Sequence, residues 1–249
     1  MFWWETYFTD GWQAMLPHLR GKQATKNEIA CLDYLLQQNS GQTVLDVPCS
    51  TGRIALDLAK LGYNVTALDY NPKLLEKGKA TALKKNLPPI NWLQADMRQM
   101  PLPNQCFDMV ACIFGSFGYF DDAGNHAFLT EAARVLKPNG QLVLETHTLE
   151  TLLPIFTEHG VWRFNNCLVI EERQFDPFTG RLNGEWTVLK GKKQYQMQSS
   201  LRMYSLPQLH NLLRQAGFND IQYYSDYTLT PYQYGDDLLV CVCTKGEVV

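Results

Sequence analysis

VLDVPCSTGRIALDLAKLGYNVTALD, residues 44–69, carries the pattern on which the fold is decided. An apolar β-type run, TVLDV at 43–47, gives way to a short loop, and Ile54, Leu58 and Leu61 then recur at helical spacing until Gly62. A second strand, NVTALD, follows at 64–69. Strand, tight loop and helix in that order leave unpaired backbone N–H groups and a positive helix end facing whatever sits above the loop. Such a place suits a carboxylate, a phosphate or a ribose. Asp69 closes the second strand, where an acid can accept hydrogen bonds from both ribose hydroxyls of an adenosine cofactor.

The same alternation extends to residue 148. Asn71-Pro72 starts a helix through Leu74, Leu75 and Gly78, INWLQAD (90–96) reads as a third strand and FDMVACIF (107–114) as a fourth. A helix marked by Phe128, Leu129, Ala132 and Val135 ends at the turn KPNG (137–140), before a fifth strand QLVLETH at 141–147. This is the signature of βαβ units and a mostly parallel sheet. From about 161 to 204 the rhythm changes to three β-rich pieces, CLVIEERQF, RLNGEWTVL and YQMQSSLRMY, joined at DPFTG and KGKK, which predicts an antiparallel meander. Ser205 and Gln208 form a capping box for a helix ended by Ala216-Gly217, and strands are expected at 221–227 and 238–244.

Composition sets the outer bounds. The 249 residues are 45% hydrophobic and 19% charged, which fits a globular chain able to bury a core. The net charge is −3 and the only basic runs are Lys84-Lys85 and Lys192-Lys193, so nucleic acid is not an expected partner. No apolar stretch reaches the roughly 20 residues of a membrane span, and the acidic start MFWWETYFTD does not resemble a signal peptide, so a cytoplasmic location is expected. Seven scattered cysteines without a CxxC pair read as reduced thiols, with Cys241 and Cys243 packed in a strand, and no metal site is expected.

Two nucleotide-binding patterns fail on inspection. Where a dinucleotide fold needs G-x-G-x-x-G the chain has Pro48, Ser50 and Arg53, and no GK[ST] follows the loop. What the sequence resembles is the class I S-adenosylmethionine methyltransferases, through Asp46 with Gly52, Asp69, Asp96, Phe107-Asp108, the LKPNG run at 136–140 and AGF at 216–218, in the family's order. The resemblance covers residues 28 to 244. It implies an α/β, Rossmann-like seven-stranded methyltransferase fold of order 3-2-1-4-5-7-6 with an antiparallel β insert after the fifth strand. In domain terms the expectation is an S-adenosylmethionine-binding core at 1–148, a substrate cap at 149–204 and completion of the core sheet at 205–249.

The resemblance also distributes roles. The loop Asp46, Pro48, Cys49, Ser50, Gly52 and Arg53 would hold the methionine end of the cofactor, Asp69 the ribose, and Asp96 with Met97 the adenine edge, flanked by Tyr70 and Leu74. Tyr7 and Ile113 complete the expected cofactor contacts. Ser50 is the departure from the family's loop. Taken singly, Asp46 or Asp108 reads equally as a strand-end or loop-capping acid, and Arg53 as cover for a helix face.

The segment ACIFGSFGYFDD lacks the [DN]PP[YF] run of base amino-methylating enzymes, and the lone Pro-Cys pair, Pro48-Cys49, lies in the cofactor loop, so neither base-modifying chemistry is expected. SFGYFDD, the meander and LRMYS are similar to a branch of small-molecule methyltransferases in which the insert roofs the active site. That implies a small-molecule acceptor methylated on N or O, with a quinone-type carbon methyltransferase and a non-catalytic cofactor-binding module as the alternatives; oligomeric state stays open. Trp162, Arg173, Trp186, Arg202 and Tyr204 of the meander are expected to shape acceptor choice. His147, ending the fifth strand, and Tyr119 are the candidates to take the acceptor's proton.

Overall fold

The computed structural model describes residues 2–39, 41–164 and 167–246. Three helices come first, α1 (Trp3–Tyr7), α2 (Asp10–Leu19) and α3 (Lys22–Gln38). The alternating core follows as β1 (Thr43–Asp46), α4 (Arg53–Lys60), β2 (Asn64–Asp69), α5 (Pro72–Lys84), β3 (Asn91–Gln94), β4 (Phe107–Cys112), α6 (Asp122–Val135) and β5 (Leu136–Thr146). After α7 (Leu149–Leu152) come β6 (His159–Phe164), β7 (Cys167–Asp176), β8 (Arg181–Lys190) and β9 (Lys193–Arg202), and the chain closes with α8 (Leu206–Gln215), β10 (Phe218–Tyr224) and β11 (Leu239–Lys245).

Seven strands form one sheet in the order β10-β11-β5-β4-β1-β2-β3, the expected topology, and β6 to β9 form a separate antiparallel sheet. All pairings in the first sheet are parallel except those of β11, which runs against both neighbours. Helices cover both faces, so β1, β2, β4 and β11 are buried along their lengths without alternation, while the edge strands β3 and β10 are partly exposed. Leu45, Val110 and Cys241 pack toward α6 and α8, while Val44, Met109 and Val240 pack toward α3 and α4. Cys241 and Cys243 are buried in that core.

β1 is flanked by β2 on one side and β4 on the other, so the chain winds away from it in both directions and opens a crevice at its C-terminal end. Asp108 secures the other end of the same strands. Its carboxylate accepts from the Gln42 and Thr43 N–H groups at 2.9 Å and from Lys137 Nζ at 2.8 Å. Despite burial, these bonds hold it down at about 2. It is a staple, remote from the crevice.

Several boundaries differ from the sequence expectation for physical reasons. The meander has four strands rather than three, because β6 is an edge strand whose Val161 is exposed and whose pattern is too weak to stand out. KPNG lies inside β5: Leu136 already pairs with Phe107, and a register shift lets Asn139 take φ +62° within the strand. β4 ends at Cys112, which places Ile113 and Phe114 in the following loop. β3 is shortened to Asn91–Gln94, and β10 begins at Phe218, directly after the Gly217 turn.

Helices α1 and α2 carry two apolar stripes. Trp3, Tyr7 and Met15 pack with Val169, Val188 and Met197 of the antiparallel sheet. Gly11 belongs to this stripe, and a Cβ there would come within 2.6 Å of the Tyr195 side chain. The other stripe, Trp4, Phe8, Trp12 and Leu16, faces the crevice. Among the described residues no helix is long and apolar enough to cross a membrane.

Candidate active site

The loop between β1 and α4 is shaped by two left-handed residues. Gly52 opens α4 at φ +76°, against the Trp92 ring, where a Cβ would sit 2.4 Å from the ring edge. Ser50 takes φ +52°, the conformation glycine adopts at least cost. The Ser50 N–H donates to Asp69 Oδ2 at 2.7 Å, which holds this residue in the left-handed region. Asp46 accepts from the Ala55 N–H at 3.0 Å in the first turn of α4. Burial pushes its carboxyl up to about 7.

A cavity of about 330 Å³ opens above these residues. Asp46, Pro48, Cys49, Ser50 and Arg53 line it from the loop, Asp69, Tyr70 and Leu74 from the β2–α5 junction, Asp96 and Met97 from the end of β3, and Ile113 and Tyr119 from the segment after β4. Twelve of the fifteen positions expected from the sequence therefore converge on one space. Asp69 is buried, which raises its pKa, and it also accepts from the Asn71 N–H at 2.8 Å. For Asp96 burial is outweighed by Arg98, whose N–H groups grip both carboxylate oxygens, the shortest contact being 2.6 Å, so its pKa is lowered. Cys49 is buried with its thiol pKa raised, a packed loop residue rather than a nucleophile.

Three expected positions do not line the cavity. Gly52 acts through the backbone turn alone. Tyr7 is buried against the antiparallel sheet, with Trp12 and Trp186 rings at 5.3 and 6.3 Å. His147, one residue beyond the end of β5, is solvent-accessible and does not line the cavity, and burial of its ring lowers its pKa. Tyr119 does line the cavity; burial raises its phenol pKa, and its O–H donates to Ser116 Oγ at 3.3 Å.

None of the five meander residues expected to shape acceptor choice lines the cavity either. Trp162 stacks on Trp186 at 6.2 Å, Trp186 donates to Ser199, and Arg173 donates to the Thr157 carbonyl at 3.1 Å. Arg202 and Tyr204 both bind Asp122 in the first turn of α6, at 2.8 and 2.7 Å. The antiparallel sheet instead fastens the segment that follows β4. The Arg202 N–H donates to Gly118 O at 2.7 Å, and Arg181 Nη1 donates to Phe120 O at 3.1 Å. Gly118, at φ +98°, would drive a Cβ to 2.5 Å from the Arg202 carbonyl. From the other side Trp3 Nε1 donates to Tyr119 O at 3.1 Å.

The wall missed by sequence reasoning is the N-terminal stripe of Trp4, Phe8, Trp12 and Leu16, whose spacing of four was the available signal. Beneath the cavity runs a chain of alternating charge that was missed as well. Arg53 pairs with Glu28, Glu28 with Arg20 at 3.1 Å, and Arg20 with Glu145. Glu145 also accepts from the Phe114 N–H at 3.0 Å and from the Tyr227 hydroxyl at 2.5 Å, holding Phe114 at φ +68° in the cavity wall.

The cavity's polar groups fit an adenosyl cofactor. Ser50 Oγ is buried without a partner, an orphan that a ligand group would satisfy, and both Asp69 oxygens keep a lone pair beyond their backbone bonds. Comparison with known proteins agrees. Residues 44–140 match the family model described as a methyltransferase domain. The chain is 25% identical over 196 residues to the ubiquinone/menaquinone biosynthesis C-methyltransferase of Zymomonas mobilis, covering 76% of this chain and 72% of that one. It is 26% identical over 216 residues to the glycine/sarcosine N-methyltransferase of Aphanothece halophytica, covering 84% and 78%. The fold is also that of an S-adenosylmethionine-dependent methyltransferase from Clostridium acetobutylicum, with a TM-score of 0.84 and 16% identity over 94% of this chain and 97% of the other. Residues 44–140 thus form a methyltransferase domain, and the relatives and the fold that the chain resembles are those of methyltransferases, S-adenosylmethionine-dependent in the case of the Clostridium acetobutylicum protein.

Proposed function

We propose that the protein methylates a nitrogen or oxygen of a small molecule held between the cofactor loop and the N-terminal helices. The observation that carries this reading is one cavity lined by two unlike sets of groups, the polar Ser50, Asp69 and Asp96 and the rings of Phe8, Trp12, Phe114 and Tyr119. Bound at the polar groups, S-adenosylmethionine supplies a methyl group already activated by its sulfonium. Asp69 would hold the ribose, Ser50 and the start of α4 the methionine end, and Asp96 with Met97 the adenine edge. The chain's remaining work is alignment and exclusion of water. Neither His147 nor Tyr119 is assigned the acceptor's proton, which leaves to solvent as the neutral product separates.

In this reading residues 1–148 and 205–249 make the cofactor core, modified in that the first nineteen residues belong to the acceptor side, and 149–204 brace that side. Free cysteines at seven positions suit a cytoplasmic location. The relative from Zymomonas mobilis favours a second reading, methylation at carbon. Incubation with methyl-labelled cofactor and a metabolite extract, followed by identification of the labelled bond, separates the two: a C–CH3 product replaces the first reading with the second, and no labelled product sinks both.

A further inference from the structure

Resting on that reading, the geometry points to the class of acceptor: a flat, uncharged ring presenting one N–H or O–H, laid against the wall formed by Phe8, Trp12, Phe114 and Tyr119. The ring centroids stand 5.6 Å apart for Phe8 and Trp12, 5.9 Å for Trp12 and Phe114, and 5.8 Å for Phe8 and Tyr119. All four line the cavity, and they come from two separate parts of the chain, α1–α2 and the segment after β4. At these spacings the rings touch one another and make one continuous aromatic wall, against which a planar apolar guest packs while the hydroxyls of a polyol stay unmatched.

The polar group on this wall has a fixed sense. Ser116 Oγ donates to the Ile113 carbonyl at 3.2 Å, and Tyr119 Oη donates to Ser116 Oγ at 3.3 Å. Both hydroxyl protons are thereby committed to the protein, and what Tyr119 offers a guest is an oxygen lone pair. The guest must bring the proton, which is the property of the group to be methylated. An N–H or O–H donating to Tyr119 has its own lone pair free to attack the methyl carbon. As that bond forms, the S–CH3 electron pair stays on sulfur and the acceptor becomes cationic; its proton is lost to solvent as the methylated product leaves.

Charge argues against a cationic amine. The Arg20 guanidinium lies 4.6 Å from the Phe114 ring centroid and that of Arg53 6.0 Å, so this part of the wall is already next to positive charge. The carboxylates of Glu28 and Glu145 are ion-paired with those same arginines, and neither residue lines the cavity, so neither meets an ammonium group there. A free amino acid or an amino sugar, protonated at neutral pH, is therefore a poor guest.

The test uses the full chain saturated with S-adenosylhomocysteine and four probes: p-cresol, toluene, glucosamine and glycine. Calorimetry first establishes that S-adenosylhomocysteine binds; failure there sinks the cofactor reading and this inference with it. With it bound, p-cresol is expected to bind at least about threefold tighter than toluene, the worth of one neutral hydrogen bond, and tighter than glucosamine or glycine. Tyr119→Phe should abolish the preference for p-cresol over toluene, and Trp12→Leu should weaken both. Tighter binding of glucosamine or glycine, equal binding of p-cresol and toluene, or an unchanged preference in Tyr119→Phe would overturn the assignment.

Discussion

The central sheet and the antiparallel sheet serve the cavity in different ways. The first sends acids into it: Asp46, Asp69 and Asp96 stand at or just beyond the ends of three successive parallel strands, and all three line the space. The second sends none of its side chains into it. Its arginines bind the backbone of the segment carrying Tyr119 and Phe120, and its inner face supports α1 and α2, which do form the wall. Function at the core is written in side chains that would touch ligand, and at the insert in groups that hold other groups still.

The sharpest way to break this contrast is Asp69→Ala. The carboxylate would give up two charge-assisted bonds to the ribose, each worth about 1.5–3 kcal/mol, so S-adenosylhomocysteine affinity should fall at least about tenfold by calorimetry. Affinity unchanged within error would remove Asp69 from the site.

The buried acid of the insert should behave in the opposite sense, as a burden on folding. Burial pushes Glu171 up to about 7, and its partner is Arg173 at 3.3 Å. Its folded pKa thus lies above the ordinary value of about 4.5, so between these limits the folded state holds a proton that the unfolded state has released. Stability from this group is full below about pH 4.5 and declines as pH rises through about 7, by about 3 kcal/mol. In denaturant titrations Glu171→Gln should lack that decline and gain on the parent between pH 5 and pH 8. A parallel course of the two curves would mean that Glu171 is ionised at no extra cost.

A smaller effect is expected of Arg181→Ala, which unties Phe120 O from the insert and removes the bonds from Arg181 to Ser200 within it. Stability should fall by about 1 kcal/mol and methyl transfer several-fold, with S-adenosylhomocysteine affinity within about twofold of the parent. Loss of cofactor affinity in step with turnover would show that the two sheets are not separable in function. The smallest change belongs to His147→Ala. An exposed residue outside the cavity should leave turnover within about twofold, whereas removal of a general base costs about a hundredfold.

The contrast also explains what could be read from the chain. Asp46, Ser50 and Asp69 sit in one strand–loop–helix–strand unit, so their convergence follows from local order, and the sheet order follows from the alternation of strands and helices. Phe8, Trp12, Phe114 and Tyr119 meet only after α1 and α2 fold back between two sheets, and no local pattern encodes that contact. Ser50 is the instructive case: as a departure from glycine it suggested an impaired loop, yet it takes the left-handed conformation and is held there by Asp69, some twenty residues away. His147 failed for a related reason, since its place at a strand end was legible but the direction of its side chain was not.

The chain Arg53–Glu28–Arg20–Glu145 has a further consequence for how relatives of this protein diverge. Glu28 is fully buried, and in such a row each charge is neutralised by its neighbours, so replacing one member strands another at a cost of about 3–5 kcal/mol. Drift at these four positions must then proceed by paired exchange or not at all. Lineages that retain Arg20 should retain both glutamates, and those that lose it should have turned a glutamate into a neutral residue in the same interval. The charged row beneath the cavity is thereby inherited as a unit, while the rings that line the cavity, exchangeable one for another, stay open to change.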